Sequence, residues 1–348
     1  MQRSLARQTW QVAPVRPDSG PPGMLATLKS AANLGLAYLL VGALIGVFLW
    51  KTWEVFMAPA TEIARQEPAQ RDPGPAPRSP VTSQQLAEVL RRQNPRMGYA
   101  GLYVRAVGQP VEAAVEPDRV FPAASLYKLP ILAEVVRQSR SRQINLDQEI
   151  VVEPRHRAPG AGVLQSRVGD RVRLREVVRL MIAESDNTAA MMALDTVGLE
   201  RVNASMRSMG LTNTRLLDYR VPGAMNPPGP YMTTARDMGL LLSRIADGEL
   251  VDREGSDYAM KLLESPQAQN WLGDGLPWYA RVAHKWGDLP EARHDAGIIT
   301  TPSSGWVIVV MTDNASPETS DDFIRAVSRD VFQLFEGPDR RGPAPATR

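Results

Sequence analysis

Residues 281–312, RVAHKWGDLPEARHDAGIITTPSSGWVIVVMT, decide the fold class of this chain. They contain three runs, 281–286, 295–301 and 306–312, which are separated by turn-forming Gly, Pro, Asp and Ser residues. Short apolar and β-branched runs bounded by turn residues predict β-strands. The C-terminal part of the chain is therefore predicted to supply three strands of a sheet.

Two more strands are predicted at 99–107 and 111–116, on either side of a Gly-Gln-Pro turn. Between the two groups of strands, apolar residues recur at helical spacing, as in the stripe at 174–182. Another helical pattern, at 324–334, follows the last strand. Strands at both ends with helices between them predict an α+β fold, in which one antiparallel five-stranded sheet is flanked by helices, with a helical subdomain.

An uncharged segment at 30–50, SAANLGLAYLLVGALIGVFLW, precedes this folded part. At 1.5 Å per residue it is long enough to cross a hydrocarbon core of about 30 Å. Trp50 and Trp53 stand where interfacial aromatic residues are expected. We predict one transmembrane helix at 30–50 after a cytoplasmic segment at 1–29. The alternative is a signal peptide cleaved near the Ala-Pro-Ala sequence at 58–60.

Segments rich in proline and alanine lie on both sides of the folded part. Residues 51–80 and the tail at 337–348 hold too little apolar surface to form a core. They are predicted to be a linker and a disordered tail. The folded domain is therefore predicted to span residues 81–336.

The composition excludes several classes of function. The 40 basic and 38 acidic residues give a net charge of +2 and are spread along the chain, so we expect no nucleic acid partner. The absence of cysteine removes disulfides, thiolate nucleophiles and cysteine-based metal sites. The three histidines, His156, His284 and His294, lack a metal-binding spacing. We expect no metal site and predict that these histidines lie on surfaces or in loops.

Ser125 and Lys128 are the first candidates for chemistry, in the stretch FPAASLYKLPIL at 121–132. Residues three apart at the start of a helix share a face. A desolvated lysine beside a second cation can take the proton of a serine that attacks a carbonyl. The same tetrapeptide also fits a surface helix start, with the serine near the cap and the lysine in solvent.

Two further motifs favour the catalytic interpretation. Ser-Asp-Asn at 185–187 begins 60 residues after Ser125, and Lys-Trp-Gly at 285–287 lies on a predicted strand. Ser185 can relay a proton to a leaving nitrogen, and the amide of Asn187 can orient Lys128 or a substrate. A lysine at 285 can hold a substrate carboxylate. A helix cap and an ordinary edge strand are the alternatives.

The order S-x-x-K, S-D-N and K-x-G resembles that of class A β-lactamases and penicillin-binding proteins. The stretches FPAASLYKLPIL, LREVVRLMIAESDNTAAMMALDTVGLE, TTARDMGLLL and RHDAGIITTP are similar to those of class A β-lactamase-like enzymes. The resemblance covers residues 82–336. It implies a β-lactamase or D,D-peptidase type of fold and an enzyme that needs neither a metal nor an organic cofactor. We also expect a monomer.

The resemblance also implies catalytic roles at the matching positions. Ser125 is expected to be the acylated nucleophile, Lys128 its base and Ser185 the proton relay. The oxyanion hole is expected to consist of the backbone N–H groups of Ser125 and Asp288.

Substrate binding is assigned by the same resemblance. Asn187, Lys285, Gly287 and Asp288 are expected to bind the substrate, a β-lactam or a cell-wall peptide. Such substrates are met outside the cytoplasmic membrane. Together with the predicted transmembrane helix at 30–50, this location predicts a cytoplasmic-membrane enzyme with its N-terminus inside and its domain outside.

The sequence departs from the family pattern at two places. Class A β-lactamases have an E-x-x-L-N segment whose glutamate activates the deacylating water, but the loop at 217–232 contains no glutamate. If Asn226 matches the asparagine, Pro222 occupies the glutamate position, and Asp218 is the only acid of the loop. In the third motif, Trp286 replaces a hydroxyl residue that would bind the β-lactam carboxylate.

Three activities remain open at this stage. The first is a β-lactamase that acts through an acyl-Ser125 intermediate. The second is a penicillin-binding D-Ala peptidase or esterase with slow deacylation, which the missing glutamate favours. The third is a non-catalytic binder or sensor of cell-wall peptides. A Ser-His-Asp hydrolase is not favoured, because the chain has no G-x-S-x-G elbow.

Overall fold

The computed structural model describes residues 80–93, 98–217 and 231–337. Within these ranges, no helix has both the length and the apolar character that a bilayer crossing requires. The predicted transmembrane helix at 30–50 lies outside the described residues. So do the N-terminal segment, nearly all of the linker, and the C-terminal tail after residue 337.

The five predicted strands appear in the predicted order, and the structure adds short strands and a helix that were not predicted. The helices are α1 (Ser83–Arg92), α2 (Lys128–Arg140), α3 (Leu174–Ala183), α4 (Asn187–Val197), α5 (Leu199–Ser208), α6 (Ala235–Ala246), α7 (Arg253–Leu263) and α8 (Pro317–Glu336). The strands are β1 (Tyr99–Ala106), β2 (Glu112–Val115), β3 (Phe121–Pro122), β4 (Glu149–Val151), β5 (Arg171–Arg173), β6 (Met232–Thr233), β7 (Arg281–Leu289), β8 (Ala292–Thr300) and β9 (Gly305–Asp313).

Five of these strands form the main sheet in the order β2-β1-β9-β8-β7. Each neighbouring pair is antiparallel, and β1 pairs with β9 from Tyr99 opposite Asp313 to Ala106 opposite Trp306. The N-terminal hairpin and the C-terminal strands therefore join in one sheet. This confirms the predicted α+β fold with an antiparallel five-stranded sheet and helices.

The sheet is covered on both faces, and its side chains divide into two cores. One core contains Ala283, Ala296 and Ile298 with the helices α2 to α7. The other contains Ile299, Trp271 and residues of α1 and α8. Because successive side chains of a strand point to opposite faces, neighbouring residues of β7 and β8 enter different cores.

Sequence signals at the helix starts agree with the structure. Thr82 and Gln85 form the capping box predicted for α1, and Leu86 and Leu90 are buried behind it. Thr234 accepts a hydrogen bond from the backbone of Asp237 at the start of α6.

The prediction that the histidines lie on surfaces or in loops is wrong. All three are buried, and His294 has no exposed surface. Each has a polar partner that offsets the cost of burial: the Nδ1 atom of His156 accepts from the backbone of Glu153, and His284 pairs with Asp295. Among the described residues, no group of three or more acidic or histidine side chains is arranged to hold a metal ion.

Candidate active site

Ser125 lies in a short 3₁₀ helix, Ala124–Tyr127, which leads into α2 at Lys128. A 3₁₀ helix has three residues per turn, so side chains at i and i+3 eclipse one another. Lys128 therefore lies directly beside Ser125. Ala124 has a φ of +45°, a strained value for a residue with a side chain. The turn that presents Ser125 is thus fixed by its surroundings.

Tertiary hydrogen bonds hold the segment that leads into this turn. The backbone N–H of Ala123 donates to the carbonyl of Tyr231 at 2.8 Å. The Nε2 atom of His294, on β8, lies 2.7 Å from the carbonyl oxygen of Pro122. The buried histidine thus ties the nucleophile segment to the main sheet.

Lys128 is fully buried and is surrounded by oxygen atoms. Its Nζ lies 3.1 Å from Ser125 Oγ, 2.9 Å from Ser185 Oγ and 2.5 Å from the Ser185 carbonyl oxygen. It lies 2.8 Å from Asn187 Oδ1. Burial, with a smaller contribution from the nearby charge of Lys285, holds the pKa of Lys128 well below its usual value. A neutral amine in contact with a serine hydroxyl can accept its proton.

Ser185 and Asn187 come from the turn between α3 and α4. Ser185 has a φ of +52°, and its hydroxyl donates to Ser125 Oγ at 2.9 Å. Asn187 Nδ2 donates to the carbonyl of Pro159 at 2.8 Å, which fixes its Oδ1 toward Lys128. The structure therefore brings together Ser125, Lys128, Ser185 and Asn187.

Asp186, between these two residues, is a site residue to which the sequence analysis gave no role. Its buried carboxylate caps α4 at the backbone N–H of Ala189. It also accepts from the backbone N–H groups of Val163 and Leu164, at 2.7 Å and 2.9 Å. A Cβ on Gly162 would lie 2.1 Å from Asp186 Cγ, so only glycine fits this contact. The sequence signal for this role was the aspartate of the S-D-N motif.

Strand β7 forms the other side of the site. A Cβ on Gly287 would lie 3.0 Å from the Cβ of Ala124 and 3.3 Å from the backbone nitrogen of Ser125. Glycine at this position lets β7 approach the nucleophile closely. The side chain of Asp288, the next residue, is 45% exposed and forms an ion pair with Arg293.

Lys285 is also fully buried, but it has fewer polar contacts than Lys128. Its Nζ donates to the carbonyl of Trp286 at 3.0 Å and lies 4.6 Å from the centroid of the Trp286 ring. Burial lowers the pKa of Lys285 to about 7, and the negative charge of Asp295 acts in the opposite direction. Lys285 acts on Lys128 through its charge.

Trp286 is held by aromatic packing. Its ring meets that of Trp271 edge to face, with centroids 6.1 Å apart. Its register partner on β8 is Asp295, on the face away from the main helical core. The indole therefore packs on the face of the sheet that contains Trp271, and its ring also contacts Lys285.

A buried lysine in contact with a serine, on an antiparallel sheet flanked by helices, is the arrangement that a serine hydrolase with a lysine base requires. The family described as "Beta-lactamase enzyme family" matches residues 82–335. The chain therefore belongs to the β-lactamase enzyme family and is a serine hydrolase of class A-like type.

Similar proteins agree with this assignment. The β-lactamase L2 of Stenotrophomonas maltophilia is 28% identical over 198 residues, covering 55% of this chain and 65% of that protein. The chain thus spans just under two thirds of that relative. A β-lactamase of Mycobacterium tuberculosis is 26% identical over 244 residues, covering 66% of this chain and 76% of that protein.

Solved structures show the same similarity. PBP-A is 31% identical with a TM-score of 0.66, covering 74% of this chain and 96% of that one. A mutant of PBP-A has been solved as an acyl-enzyme complex with penicillin G. The β-lactamase from Sphaerobacter thermophilus DSM 20745 is 27% identical with a TM-score of 0.67, covering 73% of this chain and 98% of that one.

Proposed function

We propose that this chain opens a β-lactam or a cell-wall-type amide through an acyl intermediate on Ser125. One observation carries the proposal. Lys128 Nζ lies 3.1 Å from Ser125 Oγ, and its surroundings hold its pKa well below the usual lysine value. Lys128 therefore gives up its proton more readily than an exposed lysine and is placed to act as the base for the serine beside it.

Acylation proceeds by one proton circuit. Lys128 Nζ takes the proton of Ser125 as Oγ bonds to the carbonyl carbon. The carbon–nitrogen bond then breaks, and the departing nitrogen receives a proton from Ser185. Ser185 regains its proton from Lys128, because its Oγ lies 2.9 Å from both Ser125 Oγ and Lys128 Nζ. The circuit returns Lys128 to its neutral form.

Strand β7 supplies charge stabilisation and substrate binding. The backbone N–H groups of Ser125 and Asp288 bind the developing oxyanion, and the close approach of Gly287 to Ser125 supports this pairing. Lys285 binds a substrate carboxylate in its protonated form. Asn187 orients both Lys128 and the amide side chain of the substrate.

Deacylation is the slow step of the proposed cycle. Hydrolysis of an acyl-serine requires a base that activates water, and the segment 217–232 contains no glutamate. This observation favours a penicillin-binding D-Ala peptidase or esterase over an efficient β-lactamase. The similarity to PBP-A supports the same choice. The third alternative, a non-catalytic sensor, is not favoured, because the contacts of Lys128 suit a catalytic base. The adduct experiment with penicillin distinguishes a sensor from an enzyme.

We place the enzyme outside the cytoplasmic membrane as a monomer, anchored by residues 30–50 with the N-terminus inside. The uncharged character of this segment and the external location of cell-wall substrates support the proposal. Extraction at alkaline pH leaves an anchored chain in the membrane fraction. Protease added to intact spheroplasts then removes residues 82–335. Release by alkali contradicts the anchor, and protection from protease contradicts the orientation.

The test uses the full chain and a fluorescent penicillin. Mass spectrometry locates the adduct, and fluorescence follows its lifetime. We expect a long-lived adduct on Ser125 that is lost in Ser125→Ala and kept in the control Ser208→Ala, a serine on α5 that is exposed. A short-lived adduct with released penicilloate instead establishes a β-lactamase. No adduct on Ser125 contradicts the acyl-serine proposal and leaves a sensor role.

A further inference from the structure

A buried histidine–aspartate pair lies on the face of the sheet opposite the nucleophile. His284 Nδ1 lies 2.7 Å from Asp295 Oδ1, and Asp295 Oδ2 accepts from the backbone N–H of Leu272 at 3.1 Å. Asp295 has no exposed surface. A Cβ on Gly297, the register partner of His284, would lie 2.7 Å from the Cβ of His284. The space for the histidine thus depends on glycine.

The register of β7 and β8 places this pair directly behind Lys285. Lys285 pairs with Ala296, and Asp295 is the preceding residue on β8. His284 is the preceding residue on β7. Adjacent residues of a strand point to opposite faces. Lys285 therefore faces the cleft, the side of the sheet on which Ser125 lies, while His284 and Asp295 face the core that contains α1 and α8. The lysine and the carboxylate therefore occupy neighbouring positions of paired strands, on opposite faces of the sheet.

No carboxylate of the described residues forms an ion pair with Lys285 within hydrogen-bonding distance. A buried lysine without a compensating charge loses its proton readily. At short range inside a protein, a fixed negative charge acts strongly even without contact. Asp295 raises the pKa of Lys285 against the effect of burial.

We propose that Asp295, oriented by His284, is a positioning residue that serves as the fixed counter-charge of Lys285 from the opposite face of the sheet. His284 and Leu272 occupy both carboxylate oxygens and hold the charge in place. The effect of this charge on catalysis rests on the proposed function. Its effect on the protonation of Lys285 does not.

His284, in contact with Asp295, is the ionisable group most directly affected when Asp295 is altered. Other ionisable groups surround the two strands. The groups on the side of the cleft belong to α2, to the turn before α4 and to β8. The groups on the opposite side of the sheet form ion pairs with one another. They are Lys128, Asp186, His294, Asp288 with Arg293, Arg293 with Asp321, and Arg281 with Glu264. A difference between wild type and an Asp295 variant therefore reports the charge of the His284–Asp295 pair.

The decisive test is an NMR titration of the full chain labelled with ¹³C at lysine Cε. The chain has five lysines, and loss of one signal in Lys285→Arg assigns Lys285. We expect its midpoint at about 7 in wild type. Asp295→Asn keeps the shape of the side chain and removes its charge. In this variant we expect Lys285 to bind its proton about tenfold more weakly, so that its titration midpoint falls by about one pH unit. An unchanged midpoint overturns the proposal.

Two variants separate charge from structure. Asp330→Asn removes a carboxylate from α8 that binds Gln93, and it should leave the midpoint of Lys285 unchanged. If Asp295→Asn does not fold, as judged by thermal unfolding, Asp295→Glu replaces it. The longer side chain keeps the charge, so the midpoint should stay within about 0.3 pH units of wild type. A larger fall in Asp295→Glu contradicts the counter-charge role.

Acylation supplies the functional measurement. With a carboxylate-bearing penicillin, Asp295→Asn should lose about tenfold in rate at pH 8 relative to wild type and less than about twofold at pH 5.5. An equal loss at every pH contradicts an electrostatic role. If wild type forms no adduct but the NMR midpoint moves, the proposed function fails and the inference stands.

Discussion

The two buried lysines of the site differ in their surroundings more than in their burial. Lys128 meets four oxygen atoms of Ser125, Ser185 and Asn187, whereas Lys285 meets one carbonyl oxygen and an aromatic ring. Both have a lowered pKa because both are buried. The charge of Lys285 lowers the pKa of Lys128 further. Full burial alone therefore does not decide a lysine's role; we propose that the neighbouring groups make Lys128 a base and Lys285 a cation.

Removal of Lys128 should have the largest effect. Lys128→Ala leaves Ser125 without a proton acceptor, and we expect acylation to fall about 10³-fold, within the range for a general base. Stopped-flow measurements with a fluorescent penicillin give the rate. The control is Lys261→Ala, an exposed lysine on α7, which should react like wild type. A loss below about tenfold in Lys128→Ala would assign the base elsewhere.

Removal of Lys285 should have a smaller and selective effect. In Lys285→Gln, we expect acylation by a penicillin to fall by roughly 10 to 100-fold, the contribution of a charged hydrogen bond. A neutral thioester donor should lose less than about fivefold, because it has no carboxylate to bind. Comparison of kcat/KM for the two donors tests this. Equal losses for both donors would show that Lys285 acts through Ser125 and Lys128 instead.

The pH dependence separates the two lysines without mutation. The base must be neutral, so the rate rises with pH as Lys128 loses its proton. The anchor must be charged, so acylation by a penicillin falls as pH rises through about 7, where Lys285 loses its proton. We expect the neutral donor to lack this alkaline fall. The profiles of kcat/KM from pH 5 to 10 provide the comparison, and a shared fall contradicts the assignment.

Trp286 gives the smallest expected effect. Trp286→Thr removes the ring that contacts Lys285, and we expect penicillin acylation to rise by about two- to fivefold because the lysine becomes more accessible to a carboxylate. The conservative Trp286→Phe should stay near wild type, because it keeps an aromatic face toward Lys285. Acylation rates of the two variants, measured with their thermal unfolding, test this. A fall in Trp286→Thr with unchanged stability would mean that the indole itself assists binding.

Sequence alone predicted much of this arrangement. The S-x-x-K spacing, the capping signals and the change from helical to strand patterns depend on neighbouring residues, which a sequence displays directly. Ser125, Ser185 and Lys285 were expected to act together despite separations of 60 and 100 residues. That expectation came from the family resemblance, and the structure places Ser125 and Ser185 in direct contact.

Features that depend on distant contacts were not predicted. The positive φ of Ala124 and Ser185 results from the segments that pack around them, and neither residue type favours it. Polar partners on other strands allow His284 and His294 to be buried, but single histidines carry no such signal. Helix α7 was also missed. Its capping residue, Asp252, accepts from the backbone of Gly255.

The central position of β9 determines when the main sheet can close during synthesis of the chain. This strand lies between β1 and β8, so it joins the first hairpin to the rest of the sheet. A ribosome makes residues 305–313 after every catalytic group described above. A nascent chain that ends before Gly305 can pair β7 with β8 and β1 with β2, but it has no strand to connect them. The main sheet can close only after residues 305–313 have been made, and the distant pairing predicts slow folding.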